Sequence, residues 1–142
     1  MRVLYNEQLE KLHNELAGMG RMCEQAISAA MSSLFDSDPD MVKKTQELEK
    51  EIDVQERTIE SMCMKLILKQ QPVATDLRNV SSALKMISDM ERIGDQAQDI
   101  ADMARFLNKS NIICAVHLKE MADAGCWSRS ALTNTVTDDD AF

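Results

Sequence analysis

Apolar residues recur at every third or fourth position along most of this chain, which is the pattern of amphipathic α-helices. The first such segment predicts a helix from Val3 to Phe35. It is followed by Asp36-Ser37-Asp38-Pro39-Asp40, where the acids and serine favour a turn and an N-cap and Pro39 suits the first turn of a new helix. The apolar stripe of this helix contains Leu9, Leu12, Leu16, Met19, Met22 or Cys23, Ala26, Ala30 and Leu34.

Two further periodic segments predict helices from Met41 to Lys69 and from Thr75 to Leu107. Pro72 separates them, and Asn108-Lys109-Ser110-Asn111 ends the second. A single heptad seam also fits the pattern, but the tight turns favour an all-α, up-down-up antiparallel three-helix bundle over residues 1–108. The predicted inward positions are Leu48, Ile52, Ile59, Met62 and Leu66, then Leu77, Val80, Leu84, Ile87, Met90, Ala97, Ala101 and Ala104.

The remaining segment, 109–142, begins like a new helix and becomes polar towards its end. It predicts a C-terminal fourth helix that starts a second, truncated repeat, with chance similarity of two amphipathic helices as the alternative. Its apolar face, from Leu118 through Met121 to Leu132, lacks a second bundle to cover it, so we expect either flexibility or a homodimer. The repeat rests on a constant offset that aligns Met121, Gly125, Ala131, Leu132 and Val136 with Leu16, Gly20, Ala26, Ile27 and Met31.

The composition supports a helical protein, with 4% aromatic residues, 11 Met, 4 Gly and 2 Pro. The net charge of -8 would repel a phosphate backbone, so we expect no nucleic-acid binding. The expected partners are metal cations or a basic patch on another protein. The alternative is that the acidic residues serve only solubility. The four cysteines form no C-x-x-C pair, no signal peptide is apparent and no apolar run approaches about 20 residues. A reducing, cytoplasmic location is expected.

Acidic residues follow one another at helical spacing in two places. Glu91, Asp95 and Asp99 lie at i, i+4 and i+8 on the third helix, where like charges repel by a few tenths of a kcal/mol per pair. The second helix carries a matching row, which flanks its apolar stripe. Carboxylates from both helices would suit hard cations such as magnesium, calcium, manganese or iron, but a solvated acidic face is the commoner meaning of this spacing alone. The matching row is Glu49, Asp53, Glu56 and Glu60.

Catalytic motifs are missing from the sequence: there is no Glu-x-x-His pair, no Gly-rich phosphate loop and no nucleophile motif. We therefore expect a protein that is not an enzyme. Gly94 stands on the apolar seam of the third helix, where glycine costs about 1 kcal/mol relative to alanine. Its position predicts that a neighbouring helix comes close there.

The chain resembles the PhoU family. The resemblance is carried by Gln71-Pro72-Val73-Ala74-Thr75-Asp76-Leu77-Arg78, by Ala83-Leu84-Lys85-Met86, by Asp89-Met90-Glu91-Arg92-Ile93-Gly94-Asp95-Gln96-Ala97 and by the upstream Glu49-x-x-x-Asp53, and it covers about Tyr5 to Glu120. It implies a non-enzymatic negative regulator of the phosphate-starvation response, built from two tandem three-helix bundles, that links a phosphate transporter to a membrane sensor histidine kinase. Some members bind iron or zinc clusters through E/D-x-x-x-D motifs.

Carried over by motif, the expected metal ligands are Glu49, Asp53, Glu91, Asp95 and Asp99, and the expected metals are iron, zinc, manganese or magnesium. We expect cation affinity to fall as the pH approaches carboxylate pKa values of about 4. The chain holds one repeat and a fragment where the family has two repeats. The alternative function is therefore a non-catalytic helical interaction module without metal, including a truncated product without activity.

Overall fold

The computed structural model describes residues 2–70 and 74–109, together with the isolated positions 120, 123 and 124. It contains α1 (Arg2–Phe35), α2 (Pro39–Gln70) and α3 (Ala74–Lys109). The predicted helices are confirmed, with bounds shifted by one or two residues. No helix within these ranges combines the length and apolarity needed to cross a bilayer.

Contacts between the helices give their directions. Gln55 Nε2, at the middle of α2, donates to the carbonyl oxygen of Glu15, near the middle of α1, at 3.3 Å, and also to the Glu15 carboxylate. Lys11, early in α1, lines one groove together with Lys69, at the end of α2. Gln46 Nε2, early in α2, lies 3.5 Å from Asp102 Oδ1, late in α3. Helix α2 is therefore antiparallel to α1 and α3, and each helix packs against the other two. The predicted up-down-up three-helix bundle is confirmed.

The turn between α1 and α2 is built by the residues predicted for it. The N–H of Asp36 donates to the carbonyl oxygen of Ser32 at 2.9 Å, which closes the last turn of α1. Ser37 has a positive φ of 53°, in the left-handed region. The N–H of Asp40 then donates to Asp38 Oδ1 at 3.0 Å, so Asp38 is the N-cap of α2 and Pro39 is its first residue.

The core changes in character along the bundle. One half is filled by large side chains from all three helices, among them Leu12, Leu16, Ile59, Leu66 and Val80. The other half, next to the α1–α2 turn, is lined mainly by alanines, which let the helices approach closely. These small buried residues are Ala26, Ala29 and Ala30 of α1 with Ala97, Ala101 and Ala104 of α3.

One predicted inward position is wrong. Leu77 is 47% exposed, whereas Val80, Ala83 and Ile87 of the same helix are buried. At about 100° per residue, Leu77 lies roughly a quarter-turn from the line through those three side chains, and it is also at the end of the bundle. The predicted fourth helix, the second repeat over 109–142 and the apolar face from Leu118 to Leu132 lie, apart from positions 109, 120, 123 and 124, outside the described residues. Self-association therefore stays a prediction.

Candidate metal site

Five acidic side chains line the junction between α2 and α3. Their spacing within each helix, i, i+4 and i+7 on α2 and i, i+4 on α3, places the acids of each helix on one face. Since the two helices are antiparallel, the rows run past each other in opposite directions. We call this group the carboxylate cluster; it consists of Glu49, Asp53, Glu56, Glu91 and Asp95.

A glycine brings the two rows together. Gly94 is buried, and a Cβ atom placed on it would lie 3.1 Å from Cδ1 and 3.4 Å from Cγ2 of Ile52, which is tighter than ordinary van der Waals contact. The backbone of α3 therefore rests directly on the Ile52 side chain, as the position of Gly94 predicts. Asp53 and Asp95 are the immediate neighbours of these two contact residues, so the close approach also draws the carboxylates together.

The cluster contains two groups of three carboxylates in which one oxygen of each residue lies within 4.8 Å of the others. The first group is Glu49, Asp53 and Asp95, and the second is Asp53, Glu56 and Glu91. Asp53 belongs to both. All of these side chains except the exposed Asp95 are partly buried.

Four of the five metal ligands expected from the sequence fall within these groups, and Asp99 does not. Asp99 is exposed, one turn beyond Asp95 on α3. Its carboxylate belongs to neither group of three. Cation binding by all five expected ligands stays a prediction.

The expected ligand set omitted Glu56, which the structure places in the second group. The signal was present in the sequence, because Glu56 stands three residues after Asp53 and flanks the same apolar stripe. A family motif of two acids four residues apart does not include this third position. Glu56 becomes part of the site because α3 packs against α2 and places Glu91 next to it.

Burial and mutual repulsion raise the pKa of three of these carboxyl groups. The pKa of Glu91 rises from 4.5 to about 7, through partial burial first, then a hydrogen bond and the negative charge of Asp95, and then the charges of Glu56 and Asp53. Burial followed by the charges of Asp53 and Asp95 raises the pKa of Glu49. Burial and the charge of Asp53 also raise the pKa of Glu56.

Bases contribute little neutralisation to this cluster. Arg57 counteracts part of the pKa increase of Glu56. Within the described part of the chain, the ion pair observed on α3 joins Arg92 to Asp89 at 3.9 Å and involves no cluster member. The cluster thus brings several carboxylate oxygens close together without a paired base. Such a group suits a hard cation, because each carboxylate would be attracted to the cation and the repulsion between carboxylates would be offset. The donor set contains oxygen alone, which suits magnesium, manganese or iron.

Comparison with known proteins agrees with this fold. A family model described as PhoU domain matches residues 16–104. The chain is 40% identical over 108 residues to the phosphate-specific transport system accessory protein PhoU homolog of Clostridium acetobutylicum, an alignment that covers 75% of this chain and 49% of that protein. It is 37% identical over 100 residues to the phosphate-specific transport system accessory protein PhoU of Escherichia coli, covering 70% of this chain and 42% of that protein.

A solved structure shows the same architecture. The crystal structure of PhoU from Pseudomonas aeruginosa matches with a TM-score of 0.75 and 28% identity, over 94% of this chain and 61% of that chain. The chain thus spans about half the length of the curated relatives it matches, 49% and 42% of the two named above. The matched segment runs from the middle of α1 to near the end of α3 and includes the whole carboxylate cluster. The chain therefore belongs to the PhoU family.

Proposed function

We propose that this chain regulates phosphate uptake and phosphate-starvation signalling as a cytoplasmic adaptor between a phosphate transporter and a sensor histidine kinase. The observation that carries the proposal is the match of residues 16–104 to the PhoU domain, together with relatives named as accessory proteins of a phosphate transport system. The name accessory protein favours a regulatory rather than a catalytic role. Three long helices packed side by side offer extended surfaces on which such a protein can contact two partners.

The regulatory role can be tested by complementation. The chain is expressed in a bacterium that lacks its own PhoU-type protein and carries a reporter of the phosphate-starvation response. We expect the reporter to fall in phosphate-rich medium and to remain high when phosphate is scarce. Expression of an unrelated three-helix bundle at equal level is the control. An unchanged reporter, in cells that contain the folded chain, would contradict the proposal that this chain regulates the response by itself.

The second part of the proposal is that the carboxylate cluster binds a cation. The two groups of three carboxylates support it, because they provide ligands from both α2 and α3. A bound iron, manganese, magnesium or zinc ion would neutralise the repulsion between Glu91 and Asp95 and would connect the two helices. Binding to the folded chain alone stabilises it by mass action, by about 2.7 kcal/mol at a metal concentration of 100 times the Kd.

The cation site can be tested with the double variant Glu91→Gln/Asp95→Asn. Its matched control is Glu47→Gln/Glu51→Gln, which removes two exposed acids at the same spacing on α2 but outside the cluster. Each protein is melted with a chelator and then with each metal separately. We expect the cluster variant to be at least as stable as the wild type without metal, since repulsion has been removed. It should lose the metal-induced rise in melting temperature, whereas the control variant should keep it.

The same experiment distinguishes the alternative function. If no metal raises the melting temperature of the wild type, or if the cluster variant gains as much as the wild type, the cluster is a solvated acidic face. The chain would then be a helical interaction module without metal. Complementation would still decide whether that module regulates the phosphate response.

A further inference from the structure

A second surface of the bundle has the opposite charge to the carboxylate cluster. It is a groove of about 190 Å³ between the first half of α1 and the last turns of α2. We call it the lysine groove. It is lined by Gln8, Lys11, Met62, Lys65, Leu66 and Lys69.

The groove combines an apolar floor with a basic rim. Its floor is formed by Met62 and Leu66. Met62 is only partly buried and offers most of the accessible apolar surface, whereas Leu66 is 2% exposed. The lysines at positions 11, 65 and 69 are exposed, and within the described residues no carboxylate lies within 4.0 Å of their ammonium groups. Three cations are therefore left unpaired around an apolar surface.

The apolar surface extends beyond the groove. Leu4 lies one turn before Gln8, on the face of α1 that also carries Lys11, and it is 53% exposed. A partner that fills the groove would therefore cover apolar side chains as well as meet positive charge.

The dimensions fit a short helix. From Met62 to Lys69 the groove follows α2 for about 10 Å, which is two helical turns. Lys65 and Lys69 are four residues apart and share one face of α2, so two acids at i and i+4 on a facing helix can meet both of them. An apolar residue on the same face of that helix would then lie over Met62.

We propose that the lysine groove is a docking site for a short acidic amphipathic helix of a partner protein. Charge complementarity favours this occupant, because the net charge of the chain is -8 and the groove is a local basic surface within it. An acidic partner would be repelled by the carboxylate cluster and directed to the groove. An inorganic anion would leave the apolar floor uncovered, and the flat surface of a bilayer does not enter a concave groove. The proposal is independent of metal binding and of complementation.

The test uses a fluorescein-labelled peptide of about 14 residues, helical by design, with leucine on one face and glutamate on both flanks of that face. Anisotropy titrations measure its binding to the wild-type chain, to Lys65→Gln/Lys69→Gln and to the matched control Lys43→Gln/Lys44→Gln. The control pair is exposed and lies at the opposite end of α2. We expect the groove variant to weaken binding by about fivefold or more and the control variant to leave it within about twofold.

Further measurements decide the outcome. Binding should weaken between about 50 mM and about 500 mM salt, and replacement of every glutamate of the peptide by glutamine should abolish it. Equal weakening by both lysine variants, or no binding of the acidic peptide to the wild type, would overturn the proposal. Binding to anionic phospholipid vesicles or to inorganic phosphate in a Lys65/Lys69-dependent way, without binding of the peptide, would also overturn it. Unchanged thermal melting of both variants confirms that the comparison is between folded proteins.

Discussion

Gly94 in α3 packs against Ile52 in α2 so closely that a Cβ atom on Gly94 would stand 3.1 Å from Ile52 Cδ1. Ile52 is 0% exposed, and β-branched side chains have little rotamer freedom with which to move away. This contact sets the separation of α2 and α3 at the level where the carboxylates face each other.

Replacement of Gly94 by alanine is therefore expected to lower the free energy of unfolding. Alanine gains about 1 kcal/mol of helix propensity, but crowding a packed core typically costs about 1–3 kcal/mol, so we expect a net loss. Gly18→Ala is the matched control, because its Cβ would meet nothing closer than Arg21 Nη2 at 3.8 Å. Urea denaturation should show stabilisation by about 0.5–1 kcal/mol for that control. Stabilisation by Gly94→Ala of the same size would show that the helices adjust freely.

The cause of the loss can be isolated by removing the methyl group that is in the way. Ile52→Val deletes Cδ1 and by itself should cost about 0.5–1.5 kcal/mol. Combined with Gly94→Ala, it should cost less or stabilise, since the next contact of the new Cβ is Ile52 Cγ2 at 3.4 Å. A double-mutant cycle should give a favourable coupling of about 0.5 kcal/mol or more. Additive effects would mean that the loss arises elsewhere.

Ser37→Gly is expected to stabilise the chain. Ser37 has a φ of 53°, which costs an L-residue about 1–2 kcal/mol, while glycine adopts it without a Cβ clash. The greater freedom of glycine in the unfolded chain offsets part of this gain, so we expect about 0.5 kcal/mol net. Ser37→Val should change stability in the opposite direction, because a β-branched residue tolerates this φ poorly. Chemical denaturation of both variants measures whether the free energy of unfolding rises for Ser37→Gly and falls for Ser37→Val.

The pKa of Glu91 makes the metal-free bundle less stable as the pH rises. The folded chain holds the Glu91 proton up to a pKa of about 7, whereas the ordinary value is 4.5. Folding therefore takes up protons between these values, so the free energy of unfolding falls through this window as Glu91 ionises beside Asp95, Glu56 and Asp53. Below it Glu91 is neutral in both states.

Glu91→Gln removes this contribution. In chelator-containing buffer, we expect the variant to gain stability relative to the wild type as the pH is raised from about 4.5 to about 8, with most of the gain complete by about 7. Urea midpoints across this range measure the difference. The exposed Glu10 of α1 provides the control Glu10→Gln, which removes one carboxyl group outside the cluster. A constant difference between Glu91→Gln and wild type would disprove the assignment.

Cation affinity should depend on the same proton. A ligand carboxyl must be ionised, so binding to the wild type should weaken as the pH falls through about 7, well above the window near 4 that the sequence predicts. Calorimetric titration with manganese at about pH 8 and about pH 6 measures this. In Glu91→Gln we expect weaker binding at about pH 8 and a smaller loss on acidification. Equal pH dependence of both proteins would exclude Glu91 as the controlling group.

Periodicity was sufficient to predict the three helices, their order and most of the core. It failed at Leu77 because a periodic stripe defines an angle around a helix but not the place where the bundle ends. The close contact at Gly94 could be predicted because glycine destabilises the interior of a helix, and a closely packed neighbouring helix explains its presence there. Its partner, Ile52, depends on the relative position of α2 and α3, which spacing within a helix does not fix.

The candidate site was predictable to the same extent. Acids at i and i+4 identified the faces of α2 and α3, and the family resemblance singled out Glu49, Asp53, Glu91, Asp95 and Asp99. The structure adds Glu56, whereas Asp99 belongs to neither group of three. Which carboxylate oxygens lie together depends on how the two helices are placed against each other, and spacing within one helix does not give that. The raised pKa of Glu91 was also out of reach, since it depends on burial and on charges from the facing helix.

The uneven core has a consequence for amide hydrogen exchange. Alanine side chains remove less apolar area from water than leucine or isoleucine, so the alanine-lined half of the bundle contributes less free energy to its own closure. Amides near Ala29 and Ala104 should therefore exchange through local opening, while those near Leu12, Ile59 and Val80 should exchange only through global unfolding. The alanine-lined half contains the end of α3, after which the sequence continues to residue 142, and we expect this half to open first.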